Sequence, residues 1–171
     1  MMVNIYSAQS INFGINGSMK FSKFNRVGIG EFEHYRDDQK QIIIYSLNLD
    51  WEYLVNNYLA INSEAGYTFS TQNDFQGFQL GLYLGTNKLI SFASLKGGIL
   101  YIKNIPFRTP HNPISPMNIL IASISIVKNI YKNFDADFFY QIPLGKKYVD
   151  ETFVTTEFMN NLVGFGLQVD I

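Results

Sequence analysis

Eight charged residues define the chemistry this chain could carry: Lys20, Asp50, Glu52, Glu64, Lys96, Asp135, Asp137 and Asp170. Each stands at an alternate position in a stretch where Gly, Ser, Asn, Thr and Gln interleave with apolar residues. In extended chain, alternate residues project from one face. If the strands close on one another, six acids and two lysines meet in a shared interior. Charges held away from water have to pair or give up their charge. The expected arrangement is therefore a charge-paired polar cluster that fills the interior. A narrow, acid-rich path for cations is the functional alternative.

Other constellations are weaker. His34 lies among Glu31, Glu33, Asp37 and Asp38, but the spacing follows no pattern of metal ligation. His111 precedes Ser115 by four residues with Pro113 between them, and no acid follows before Asp135. A serine hydrolase needs nucleophile, base and acid in mutual reach, which this spacing does not promise. Gly28-Ile29-Gly30 lacks the third glycine and the strand-to-helix setting of a phosphate-binding turn. Cysteine is absent, which removes disulfides, thiolate chemistry and Cys-based zinc sites. No catalytic residue, metal or cofactor is expected, and a net charge of −1 leaves no basic footprint for nucleic acid.

The elements that would position the eight residues are strands. The chain of 171 residues is 47% hydrophobic and 16% aromatic, with only 16% charged, below the usual quarter. No apolar run approaches the eighteen or so residues of a membrane helix. Alternation instead marks strands at Ile11–Ser22, Gln41–Val55, Tyr58–Ser70, Phe75–Gly85, Leu89–Ile102, Asn118–Lys128, Phe134–Ile142 and Asn161–Ile171. In the fifth the alternation is blurred, and Gly97-Gly98 reads as a bulge that shifts its phase. Asn56-Asn57, Thr86–Lys88 and Asn129–Asn133 read as short turns. Phe24–Lys40, Thr71–Asp74, Lys103–Met117 and Gly145–Asn160 read as loops at the opposite end. A hairpin at Val27–Tyr35 would raise the strand count to ten. Residues 1–10 read as a residual signal or a disordered tail, with 11–171 forming a single barrel domain.

Alternation does not say which face is inside. A soluble lipocalin-like carrier would turn its apolar face inward; a membrane barrel does the reverse. Three features favour the second. The polar face carries few Lys and Glu for a solvated surface. The strands are about ten to fifteen residues long, against about five to six in ordinary sheets. Aromatic residues gather at two levels, with Trp51, Tyr53, Tyr58 and Phe134 at one and Tyr45, Tyr67, Phe69 and Tyr101 at the other, as interfacial girdles do.

The opening FGINGSMKFS and the closing GFGLQVDI resemble the first and last strands of small Gram-negative outer-membrane β-barrel proteins, a group that includes the OmpA/OmpX-like and Bacteroidota porin-like barrels. The resemblance implies outer-membrane location, contact with outer-membrane lipid, and insertion by the barrel assembly machinery through a C-terminal strand signal matched by Gly164, Phe165, Leu167 and Val169. Ile171 departs from the terminal aromatic usual there. Lipid A deacylases of the same barrel size carry His-x-Ser, where this chain has His-x-x-x-Ser. The sequence is thus expected to give an all-β, antiparallel, up-and-down transmembrane barrel of eight strands, polar inside and lipid-facing outside. Its expected role is non-enzymatic, structural or surface-binding. The alternatives are a narrow pore, a lipid A-modifying hydrolase and a soluble lipocalin-like carrier.

Overall fold

The computed structural model describes residues 10–28, 38–56, 58–70, 75–86, 93–105, 107–108, 113–114, 117–145, 147–151 and 155–171. Among these described residues the strands are, in chain order, β1 (Ile11–Gly28), β2 (Asp38–Leu54), β3 (Leu59–Phe69), β4 (Gln76–Thr86), β5 (Ser94–Asn104), β6 (Phe107–Arg108), β7 (Pro113–Ile114), β8 (Ile119–Tyr131), β9 (Phe134–Pro143), β10 (Lys147–Glu151), β11 (Thr155–Met159) and β12 (Leu162–Asp170). All pairings are antiparallel, and β1 pairs with both β2 and β12, so the sheet closes on itself. β11 meets β1 just beyond β12, and β10 meets β11. These two strands prolong the staves begun by β12 and β9, so the wall has eight staves. β6 and β7 form a separate small ribbon.

The wall is inside out. Leu47 is 61% exposed, Leu82 55% and Phe165 43%, while their polar neighbours Asn48 and Gln79 are 3% and 1% exposed. The exposed apolar residues form a continuous belt: Ile11 to Phe21 on β1, Leu59 to Phe69 on β3, Leu120 to Ile130 on β8 and Val163 to Ile171 around β12. Ten residues of strand rise about 33 Å, and a tilt of about 40° leaves about 25 Å, the height of the apolar band on membrane barrels. Both aromatic sets lie on this outer wall. Tyr45 packs against Phe69 at 5.6 Å between ring centroids, and Tyr67 meets Phe78 edge-on at 5.6 Å.

Several boundaries differ from the sequence expectation, for one physical reason. Phe24–Lys40 and Gly145–Asn160 are not wholly loops. β1 runs on to Gly28 against β2 from Asp38, and β10 with β11 extends the second pair of staves. The start expected for the fifth strand at Leu89 lies outside the described residues; from Ser94 its registers with β4 and β8 run unbroken through Gly97 and Gly98, so no bulge lies there. What blurred the pattern is an inner face that changes character along the barrel. Towards the long-loop end the inward residues become apolar: Phe24, Ile42, Ile44, Phe75, Leu100, Ile102, Ile119, Ile121, Met159 and Leu162, none more than 1% exposed. Ile42-Ile43-Ile44 is then apolar on both faces, as strands buried on both sides are, and alternation disappears. At the same level the outward residues turn polar, at Lys23, Gln39, Gln41 and Lys103. The barrel begins inside out and ends with the polarity of a soluble barrel.

At the other end the connections are tight. Asn56 Oδ1 accepts the backbone N–H groups of Tyr58 and Leu59 at 2.8 and 2.9 Å. Lys132 takes the left-handed conformation (φ 46°) in the β8–β9 turn, beside a bulge at Ile130. The turn expected at Thr86–Lys88 lies, beyond Thr86, outside the described residues. Residues 1–9, His34 with its acidic neighbours up to Asp37, Thr71–Asp74, His111 and Ser115 lie outside the described residues.

Candidate functional site

The barrel interior is divided in two. The ten apolar side chains fill it towards the long-loop end. Below them lies a polar cavity of about 80 Å³ that reaches the short-turn end past Asn12, Glu52, Asp135 and Asp170. Eight staves leave an interior only wide enough for side chains, so filling decides what remains open. Lys20, Asp50, Glu52, Glu64, Lys96, Asp135, Asp137 and Asp170 all line this one cavity. They come from six staves, because each sits on the inward phase of its strand. A wholly polar interior, however, is not what the barrel has; the apolar plug replaces it along the upper part.

The charges are not knotted together as ion pairs. Gln79, which sequence reasoning did not single out, is the hub. Its Oε1 accepts from Lys20 Nζ at 3.1 Å and from the Ser46 hydroxyl at 3.3 Å. Its Nε2 donates to Asn48 Oδ1 at 2.6 Å and to Glu64 Oε1 at 3.2 Å. Both N–H groups of that amide are therefore used, and its oxygen holds Lys20 and shares the single Ser46 hydroxyl hydrogen with Thr68 Oγ1, 3.0 Å from Ser46. Tyr83 donates to the same Glu64 oxygen at 2.9 Å. Lys20, 2% exposed, also lies 6.0 Å from the centroid of the Phe139 ring. A carboxamide thus holds the buried ammonium, with Glu64 and Asp137 near enough to act on it electrostatically. The signal available in the sequence was slight: Gln79 is the one long polar residue between Gly77 and Gly81.

Nearer the mouth each acid has its own amide. Asn12 donates to Glu52 at 3.2 Å, Gln168 to Asp170 at 2.8 Å and Asn129 to Asp135 at 2.7 Å. Asn62 Nδ2, Asp137 Oδ1 and Gln141 Oε1 are buried without a protein partner, and all three residues line the cavity. That is the chemistry of a hydrated chamber, since buried polar groups lacking protein partners are met by water.

Glycines make room for the larger lining groups. A Cβ on Gly81 would stand 2.6 Å from both the Tyr83 ring and Glu64 Cγ. A Cβ on Gly164 would stand 2.5 Å from the Phe139 ring. Two inward rings, Tyr83 and Phe139, thus lie over two glycines, and both line the cavity.

Among the described residues no group of three or more His, Cys, Asp or Glu is arranged to hold a metal ion. The six acids are spread over four staves of the wall, β2, β3, β9 and β12.

A closed antiparallel barrel of eight staves, apolar outside and polar within, is the architecture of small Gram-negative outer-membrane barrels, and this chain has that fold. It is similar to the crystal structure of Neisserial surface protein A (NspA), at 12% identity and a TM-score of 0.53, covering 93% of this chain and 97% of that one. It is also similar to the outer membrane protein OprG from Pseudomonas aeruginosa, at 10% identity and a TM-score of 0.52, covering 96% of this chain and 99% of that one. No protein-family model and no curated protein matches the sequence. At such identities the likeness is one of fold.

Proposed function

We propose that the protein is an outer-membrane barrel without enzymatic activity and without a through-pore, which spans the membrane to hold its long-loop end at the cell surface. One observation carries this reading: an exposed apolar belt encloses an interior sealed by a plug of fully buried side chains. The belt suits a bilayer and the plug opposes conduction. A cation path through the acid-lined cavity would have to cross Leu100, Ile102, Ile119 and Ile121, each at most 1% exposed. A site for hydrolysis is not among the groups that line the cavity.

The test has two arms. Folded into lipid vesicles, the protein should show heat-modifiable gel migration, and its belt should be protected from added protease. In planar bilayers it should insert silently. Aqueous solubility of the folded protein without detergent would overturn the membrane reading; steady cation-selective steps from folded protein would overturn the sealed interior.

A further inference from the structure

The wall has one defect at the level where its outer surface changes polarity. Phe21 pairs with Val163 of β12, and three residues on Phe24 pairs with Met159 of β11. Ser22 and Lys23 therefore face three residues, Asn160, Asn161 and Leu162, across a bulge. The local hydrogen bonds turn inward to accommodate it. The Ser22 hydroxyl lies 3.0 Å from the Asn160 carbonyl and 3.3 Å from that of Asn161, and the Asn160 N–H donates to the Lys23 carbonyl at 3.0 Å.

A recess of about 640 Å³ lies beside the bulge on the outside of the barrel, similar in volume to a groove of about 650 Å³ against the unbulged wall at Leu47 and Leu80. The lower walls of the recess are Phe21, Ile43 and Val163, and its upper rim is Lys23 and Gln41. The order is set by pairing, because Phe21 lies opposite Ile43 and Lys23 opposite Gln41. Ile42, an inward residue of the plug, reaches the back of the recess. Lys23 is exposed and has no side-chain partner among the described residues.

An apolar slot capped by an exposed ammonium, without a side-chain partner among the described residues, and by an amide, at the top of an apolar belt, matches an amphiphile with an anionic head. We propose that this recess is a binding site for a phosphate-bearing anionic membrane lipid, with an acyl chain against Phe21, Ile43 and Val163 and the phosphate at Lys23 and Gln41. The proposal rests on the membrane reading above. Bulk lipid touches the whole belt, and an apolar groove of similar volume lies in mid-belt; this recess differs because Lys23 and Gln41 stand at its upper rim, where the head meets a fixed charge.

Native mass spectrometry of the folded protein in detergent, titrated with phosphatidylglycerol or with phosphatidylcholine of the same chains, tests it. Phosphatidylglycerol should bind about fivefold more tightly, the effect of about one lysine at an anionic lipid head. Lys23→Gln should bring the two lipids level. Val163→Trp should weaken both about tenfold, the loss expected if the ring displaces about two methylene groups of the bound chain. Inorganic phosphate should not compete. Equal affinity for the two lipids, a preference that survives Lys23→Gln, full binding by Val163→Trp, or displacement by phosphate alone would each overturn the site. A protein with heat-modifiable migration that fails these tests refutes the site alone; one that never folds into detergent or vesicles refutes the membrane reading and the site with it.

Discussion

An arginine carried along the outer face of β2 would measure where the bilayer lies. The outward residues of this strand run from Gln41 through Ile43, Tyr45, Leu47, Leu49 and Trp51 to Tyr53. The midpoint of the apolar part falls near Leu47, which is 61% exposed. Gln41 is six residues away, about 20 Å along the strand and about 15 Å along the membrane normal at a tilt of about 40°. That exceeds half of an apolar band about 25 Å tall, so Gln41 lies at its edge. Leu47→Arg should therefore lower the free energy of unfolding by about 2–4 kcal/mol, and Gln41→Arg by about 0–1 kcal/mol. Both sites are exposed, so on a soluble barrel each change would stay within about 0.5 kcal/mol. The assay is reversible denaturant unfolding from lipid vesicles, followed by the fluorescence of Trp51, the only tryptophan. Equal costs at the two positions, or no cost at Leu47, would refute the placement of the belt in lipid.

Further outcomes follow from the interior, with an outward glycine as the control. Leu100→Ala, which truncates a fully buried residue of the plug, should cost about 2–5 kcal/mol through lost contact and cavity formation, read in the same unfolding experiment. Gly81→Val should cost about 1–3 kcal/mol, because even its Cβ would meet Tyr83 and Glu64 at 2.6 Å. The outward Gly17, where an added Cβ would meet nothing within 4 Å, should accept Ala with no loss of stability. Gln79→Leu should cost about 3–5 kcal/mol, since it strands the buried Lys20 ammonium without its hydrogen-bond acceptor. Gln79→Glu should be milder than Gln79→Leu, because it keeps an acceptor for Lys20 while losing the donor to Asn48 and Glu64.

The sequence determined the strands that lie wholly in the belt, since their two faces differ in polarity throughout. Phe78, Leu80, Leu82 and Leu84 against Gly77, Gln79, Gly81 and Tyr83 can be sorted by period alone, and the same sorting put all eight charged residues on inward phases. Strand length and aromatic placement then chose the inside-out arrangement. What period could not reveal is where both faces become apolar. Ile42-Ile43-Ile44, Ile99–Ile102 and Ile119–Ile121 carry no alternation, because one residue of each pair meets the outer surroundings and the next meets the plug. Only closure of the sheet brings Phe24, Leu100, Ile121 and Met159 together, from staves far apart in sequence. Closure also decides that Gln79 stands within reach of Lys20, 59 residues away, so that an amide hydrogen bond answers the buried charge where the sequence suggested an opposing one.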